Sequence, residues 1–122
     1  MKREPSEPQG LDLTKEKKAF AAIDTEALKK ELEEAGVPWM FVEASLDYIK
    51  NPPNSVWDSY EYYKEKGKDM VLEVLKVTVE SHMRYFTPSG WIEPLRSPLG
   101  HMDAKAIEIT AKVALKAFYP EE

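Results

Sequence analysis

The hydrophobic residues of this chain recur mainly at helical spacing. Leu28, Leu32 and Ala35 follow one another at intervals of four and three residues, and charged residues fill the positions between them. Gly36 comes directly afterwards, where a glycine commonly caps the C-terminus of a helix. The pattern predicts a peripheral helix from Thr25 to this glycine.

A second, wider apolar stripe follows Pro38, a residue that suits the first position of a helix. The stripe and the polar face opposite it consist of Trp39, Val42, Leu46 and Ile49, and of Glu43, Asp47 and Lys50. The predicted helix ends at Asn51, because two prolines follow.

Two shorter helices are also predicted. One is expected over Lys15 to Ala22. In the other, Ser55 and Asp58 have the spacing of a capping box in its acidic form, which predicts a helix start at Ser55. This helix should run to about Lys66, with Gly67 as a stop or a kink.

The last two helices are long and have little polar surface. Residues 70–86 are rich in β-branched side chains, but the apolar residues run together instead of alternating, which favours a helix over a strand. Residues 103–119 have the same layout and contain several alanines, which allow close approach of a neighbouring backbone. The narrow polar stripes of the two helices are Glu73, Lys76, Glu80 and Arg84, and Lys105, Glu108, Lys112 and Lys116.

Together these segments predict an all-α fold, a four- or five-helix bundle in which the two long C-terminal helices are central and are joined by a Pro/Gly-rich loop. Apolar surface that one monomer leaves uncovered should form an oligomer or partner interface. Residues 1–13 are expected to be a mobile tail, and residues 14–122 a single helical domain. We expect a cytoplasmic protein, since no apolar run approaches the length of a membrane helix and the N-terminus has no apolar signal region.

The composition excludes several function classes. The absence of cysteine excludes disulfides, thiolate catalysis and cysteine-ligated metal centres. The chain carries 17 basic and 22 acidic residues, a net charge of −5, without a concentrated basic patch, so nucleic acid is disfavoured as a partner. No pattern indicates a metal or a cofactor. The excess of lysine and glutamate over asparagine and glutamine resembles proteins of thermophilic organisms.

Residues 87–102 form the longest predicted loop, and long loops in small domains commonly carry function. Arg96 and His101 of this loop, with His82 from the preceding helix, are candidate ligand-binding residues for an anion or another small molecule. The structural alternative for the loop is an ordered connection without a ligand. His82 lies opposite the polar stripe, so its structural interpretation is a buried neutral imidazole bonded to a backbone carbonyl or a hydroxyl.

Aromatic residues are concentrated between positions 57 and 63. The cluster consists of Trp57, Tyr60, Tyr62 and Tyr63. Tyr60 and Tyr63 share a face with Val56, which places part of the cluster in the core. One monomeric core cannot bury all of them, and tryptophan and tyrosine are enriched at protein interfaces. With Trp91 of the loop, the four aromatic residues form the predicted partner-binding surface. The alternative is that their helix is a rim of the domain that packs under the loop.

The leading hypothesis is therefore a non-catalytic protein–protein interaction module. Such a protein would be a small subunit, adaptor or regulator that binds a protein partner, forms a homo-oligomer or does both, as many phage and viral accessory proteins do. No nucleophile–base pair is recognisable, so no catalytic residue and no enzymatic activity are predicted. The alternative is a small-anion or small-molecule binding or enzymatic domain that uses the 87–102 loop, and a nucleic-acid binder is the third hypothesis.

Overall fold

A computed structural model describes residues 13–93 and 101–119, without the side chains of residues 101–103. All regular structure in these residues is helical, which confirms the predicted all-α class. Residues 13–93 and 101–119 contain six α-helices instead of the four or five predicted, because the short first helix is a separate element. They are α1 (Thr14–Ala21), α2 (Thr25–Glu34), α3 (Trp39–Lys50), α4 (Asn54–Tyr63), α5 (Lys68–Tyr85) and α6 (His101–Phe118), with a 3₁₀ turn at Lys64–Lys66.

The end of α2 shows how closely local sequence sets local structure. Gly36 adopts the left-handed conformation, with φ of 85°, and its N–H donates to the carbonyl of Glu33. The N–H of Val37 donates to the carbonyl of Leu32, which completes a Schellman motif. Both Val37 and Leu32 are buried, so the cap also carries the hydrophobic contact that accompanies this motif. The predicted glycine cap is confirmed.

Three predicted helix starts differ from the structure. Pro38 is the residue before α3 and not its first residue. The capping box at Ser55 is absent, since α4 already begins at Asn54 and its start has no side-chain cap. The last helix is predicted over residues 103–119, but α6 begins at His101. Prolines at the entry to α3 and α4 fix an extended backbone and define those starts without a polar cap.

The core is formed mainly where α5 and α6 meet each other and the remaining helices. Helix α5 packs against α3, α4 and α6, while α6 also contacts α1, α2 and α3. Three alanines of α6, at positions 106, 111 and 114, are fully buried, as close helix packing requires. Leu13, assigned to the tail by sequence, is also buried in the core. None of the described helices is long and apolar enough to cross a membrane.

A buried hydrogen bond links α3 to α5. The Tyr48 side chain is fully buried, and its hydroxyl lies 2.7 Å from the Thr78 hydroxyl. Thr78 has one hydroxyl proton and uses it on the carbonyl of Leu75, 2.9 Å away, so Tyr48 is the donor in the bond between the two helices. Burial raises the pKa of Tyr48 far above its usual range, which keeps this donor protonated.

A candidate docking surface at a tryptophan pair

A tight turn follows the end of α5. The N–H of Trp91 donates to the carbonyl of Pro88 at 3.0 Å, and Gly90 has φ of 84° at the third position of the turn. This bond and the positive φ at the third position are features of a type II turn, in which that position favours glycine. The side chain of Pro88 is buried, so the turn is anchored at its first residue.

Glu43 of α3 binds the same turn through both carboxylate oxygens. The backbone N–H of Ser89 donates to Oε1 at 2.8 Å, and the Ser89 hydroxyl donates to Oε2 at 2.6 Å. These bonds hold the pKa of Glu43 below its usual value, although burial and the nearby Asp47 act in the opposite direction. The ionised carboxylate therefore fastens the turn to α3.

The turn places Trp91 against Trp39, which lies one helical turn before Glu43 on α3. The two indole rings meet edge to face, with centroids 6.3 Å apart and planes at 82°. Trp39 remains 52% exposed and Trp91 44% exposed, and the adjacent Ile92 is 94% exposed. We call these three residues the tryptophan-pair surface. Large apolar side chains are exposed there on a hydrogen-bonded support.

His82 lies near this surface, but its partner differs from the one expected. Its Nε2 is 2.8 Å from Oδ2 of Asp47, one turn after Glu43 on α3. Because a carboxylate only accepts hydrogen bonds, Nε2 carries the proton in this bond. The expectation of a neutral imidazole bonded to a carbonyl or hydroxyl is therefore wrong about the partner. The imidazole is partly buried and meets the Tyr48 ring edge to face at 5.8 Å.

The predicted aromatic cluster divides between the core and the surface. Tyr60 is buried and stacks on Phe118 at 4.2 Å, so its assignment to a partner-binding surface is wrong. Trp57 is half-buried and packs edge to face against Phe20 at 5.3 Å. Tyr62 is 67% exposed and meets Tyr63 at 4.7 Å. Tyr62 and Trp57 line an open cleft of about 590 Å³ whose other lining residues are mostly charged.

The alternative ligand site lies mostly outside the described residues. His82 is bonded to Asp47, Arg96 lies outside the described residues, and His101 is the first residue of α6 with a side chain outside the description. In the described part of the chain, no group of three or more potential metal ligands converges.

The sequence interpretation missed Trp39, Glu43 and Ser89 as members of one surface. Glu43 was assigned to a polar helix face, and nothing local shows that a turn 46 residues away binds to it. One signal was available, since the Ser89–Gly90 dipeptide is typical of a turn. That turn precedes Trp91, so its geometry decides where the indole points.

Comparison of the chain with models of protein families, with curated proteins and with solved structures found no match.

Proposed function

We propose that this protein is a non-catalytic interaction module that binds a protein partner through the tryptophan-pair surface. The proposal rests on one observation: two partly exposed tryptophans are held in contact by a turn that Glu43 fastens with two hydrogen bonds. Tryptophan is the residue most typical of binding hot spots. A partner that meets a pre-ordered surface pays less conformational entropy on binding.

The chemistry around the pair suggests the kind of partner. The rings present two apolar faces that an aliphatic or aromatic side chain can contact, and Ile92 extends this apolar area. Glu43 and Asp47 lie behind them on α3, and the whole chain carries a net charge of −5. We therefore infer a partner with a protruding apolar residue and a basic rim, since complementary charge speeds association and selects partners.

The Tyr62–Tyr63 side of α4 is a second predicted contact within the same proposal. Tyr62 is more exposed than either tryptophan, but its support is weaker: its described contacts are the Tyr63 ring and the Lys66 ammonium, 5.5 Å from its ring centre. The helical bundle around α5 and α6 would serve as a rigid frame for both contacts. The two surfaces can be separated by mutation.

The test is a comparison of single alanine variants in partner binding. The partner is first identified by crosslinking mass spectrometry of the full chain in its own host, and its affinity is then measured by calorimetry. Trp39→Ala and Trp91→Ala should each weaken binding by roughly thirtyfold, the effect of losing a hot-spot residue worth about 2 kcal/mol. Tyr62→Ala is the matched control for the second surface.

Far-ultraviolet circular dichroism must show unchanged helix content in all three variants. Retained affinity in both tryptophan variants would contradict the tryptophan-pair surface. A loss confined to Tyr62→Ala would move the docking site to α4.

A further inference from the structure

Helix α5 has an outer face that no other described element covers. Glu73, Val77, Glu80 and Arg84 follow one another along it at intervals of four, three and four residues. Val77 lies in the middle of this face and is 63% exposed, although it is a β-branched apolar residue. Met70 and Tyr85, at the two ends of the face, are also exposed. An apolar centre with apolar ends is typical of a helix that packs against another helix.

The charges on this face, together with Lys76 on its edge towards α6, alternate in order along the helix. They run acidic, basic, acidic and basic at Glu73, Lys76, Glu80 and Arg84. Within the monomer they form the local pairs Glu73–Lys76 at 3.4 Å and Glu80–Arg84 at 2.8 Å. Such exposed pairs contribute little to stability by themselves. All four side chains remain at least one-third exposed and are available to a partner.

This order is complementary to itself when the helix is reversed. If a second α5 runs antiparallel across the first, Glu73 faces Arg84 of the other copy, and Lys76 faces Glu80 of the other copy. Each contact then occurs twice, as two-fold symmetry requires. The same alignment brings Met70 opposite Tyr85 of the other copy and places both Val77 side chains close to the symmetry axis.

The shape of the surface around Val77 also suits helix packing. Val77 lies between two shallow grooves. One, of about 510 Å³, runs between α5 and α6 and includes Ala104 and Ile107; the other, of about 270 Å³, extends towards Tyr85. Ridges that enter grooves are the basis of helix–helix contact. A valine from a second copy can therefore enter a groove beside the valine of the first.

We infer that the protein forms a symmetric homodimer by antiparallel pairing of α5 with α5 of a second copy. The inference goes beyond the proposed function, because it uses a different surface and leaves the tryptophan pair free. Helix α5 has 18 residues and is about 27 Å long at 1.5 Å per residue. One helix pair of this length buries less than the roughly 1,600 Å² of a standard interface, so the dimer should be reversible.

The first experiment is sedimentation velocity of the full chain over a range of concentrations. Wild type should shift from monomer to dimer in the micromolar range, as expected for a small interface. Val77→Asp should remain monomeric at concentrations where wild type is dimeric. Glu33→Arg, at an exposed position of α2, serves as a charge-changing control that should dimerise like wild type.

The second experiment tests the antiparallel register. Glu73→Arg places like charges opposite each other at both ends of the dimer, and so does Arg84→Glu, so each variant alone should dimerise at least about tenfold more weakly. An equimolar mixture should recover the wild-type affinity as a heterodimer, because the introduced arginine then faces the introduced glutamate and the native pair is restored at the other end. Native mass spectrometry distinguishes the two chains by mass.

Three results would overturn the inference. The first is a wild-type chain that stays monomeric up to about 1 mM, a concentration that detects even very weak pairing. The second is a dimer that survives Val77→Asp, which would locate the interface elsewhere. The third is a mixture of the two charge variants that does not recover dimerisation, which would exclude the antiparallel register.

Discussion

Removing the Glu43 carboxylate should release the 88–91 turn while leaving the helical core folded. Glu43→Gln keeps the shape of the side chain, but its amide nitrogen is a donor and cannot accept from Ser89, so one of the two hydrogen bonds is lost together with the charge. Glu43→Ala removes both bonds. Because the bonds lie near the surface, we assign about 1 kcal/mol to each, the typical net contribution of an intramolecular hydrogen bond.

On that basis, the equilibrium between the fastened and the released turn should shift about fivefold in Glu43→Gln and about thirtyfold in Glu43→Ala. When the turn is released, Trp91 no longer contacts Trp39, so acrylamide should quench the fluorescence of both residues more strongly. The near-ultraviolet circular dichroism of the indole pair should also fall. Trp57, packed against Phe20, contributes a constant background. Glu33→Gln makes the same chemical change at an exposed position of α2 and is the matched control.

Acid should have the same effect as these variants. The hydrogen bonds from Ser89 lower the pKa of Glu43, so the stabilisation of the turn is fully present above the ordinary glutamate pKa and is lost as the pH falls through the lowered value. Ser89→Ala keeps only the backbone hydrogen bond, so the pKa of Glu43 should be lowered less. The release of the turn should then occur at a higher pH than in wild type. If Glu43→Gln and Glu43→Ala both leave quenching and the near-ultraviolet signal unchanged, the carboxylate does not hold the turn.

Two further predictions concern the core. Thr78→Val should lower the free energy of unfolding by about 2 kcal/mol, because it leaves the buried Tyr48 hydroxyl without an acceptor. Tyr48→Phe removes that hydroxyl and should lower it by only about 1 kcal/mol. The double variant should resemble Tyr48→Phe. Thermal unfolding should separate the single variants by about 3–5 °C, and a larger loss in Tyr48→Phe would reverse the assignment of the donor. Phe20→Ala should cost about 3–5 kcal/mol, because Phe20 is buried between Tyr48, Trp57 and Phe118, and a loss below about 1 kcal/mol in urea unfolding would contradict this packing.

Local patterns predicted the helices well because their causes are local. The spacing of Leu28 and Leu32 and the glycine after them contained the information for α2 and its cap. Gly67 was predicted as a stop or a kink, and with a φ of 112° it separates the 3₁₀ turn from α5. The errors at helix starts were small, and proline geometry accounts for two of them.

The candidate surface was harder to predict because it depends on contacts between distant segments. Periodicity identified Asp47 as polar, but it could not show that His82, 35 residues later, is the group it faces. Tyr60 is a second example: the pattern placed it on the apolar face of α4, but it could not show that the ring stacks on Phe118 near the C-terminus. Trp91 was identified by its rarity and by its loop, and Trp39 was treated as an ordinary member of an apolar stripe.

The bond between Glu43 and Ser89 also determines when the tryptophan-pair surface can exist. Its two halves come from segments that are 46 residues apart, so neither segment alone displays it. A nascent chain that ends before α5 already contains Trp39 but has no turn to set beside it. A short peptide copied from either segment would lack half of the surface. A partner that needs both indoles would therefore recognise only chains that have been synthesised past residue 91 and have brought the two segments together.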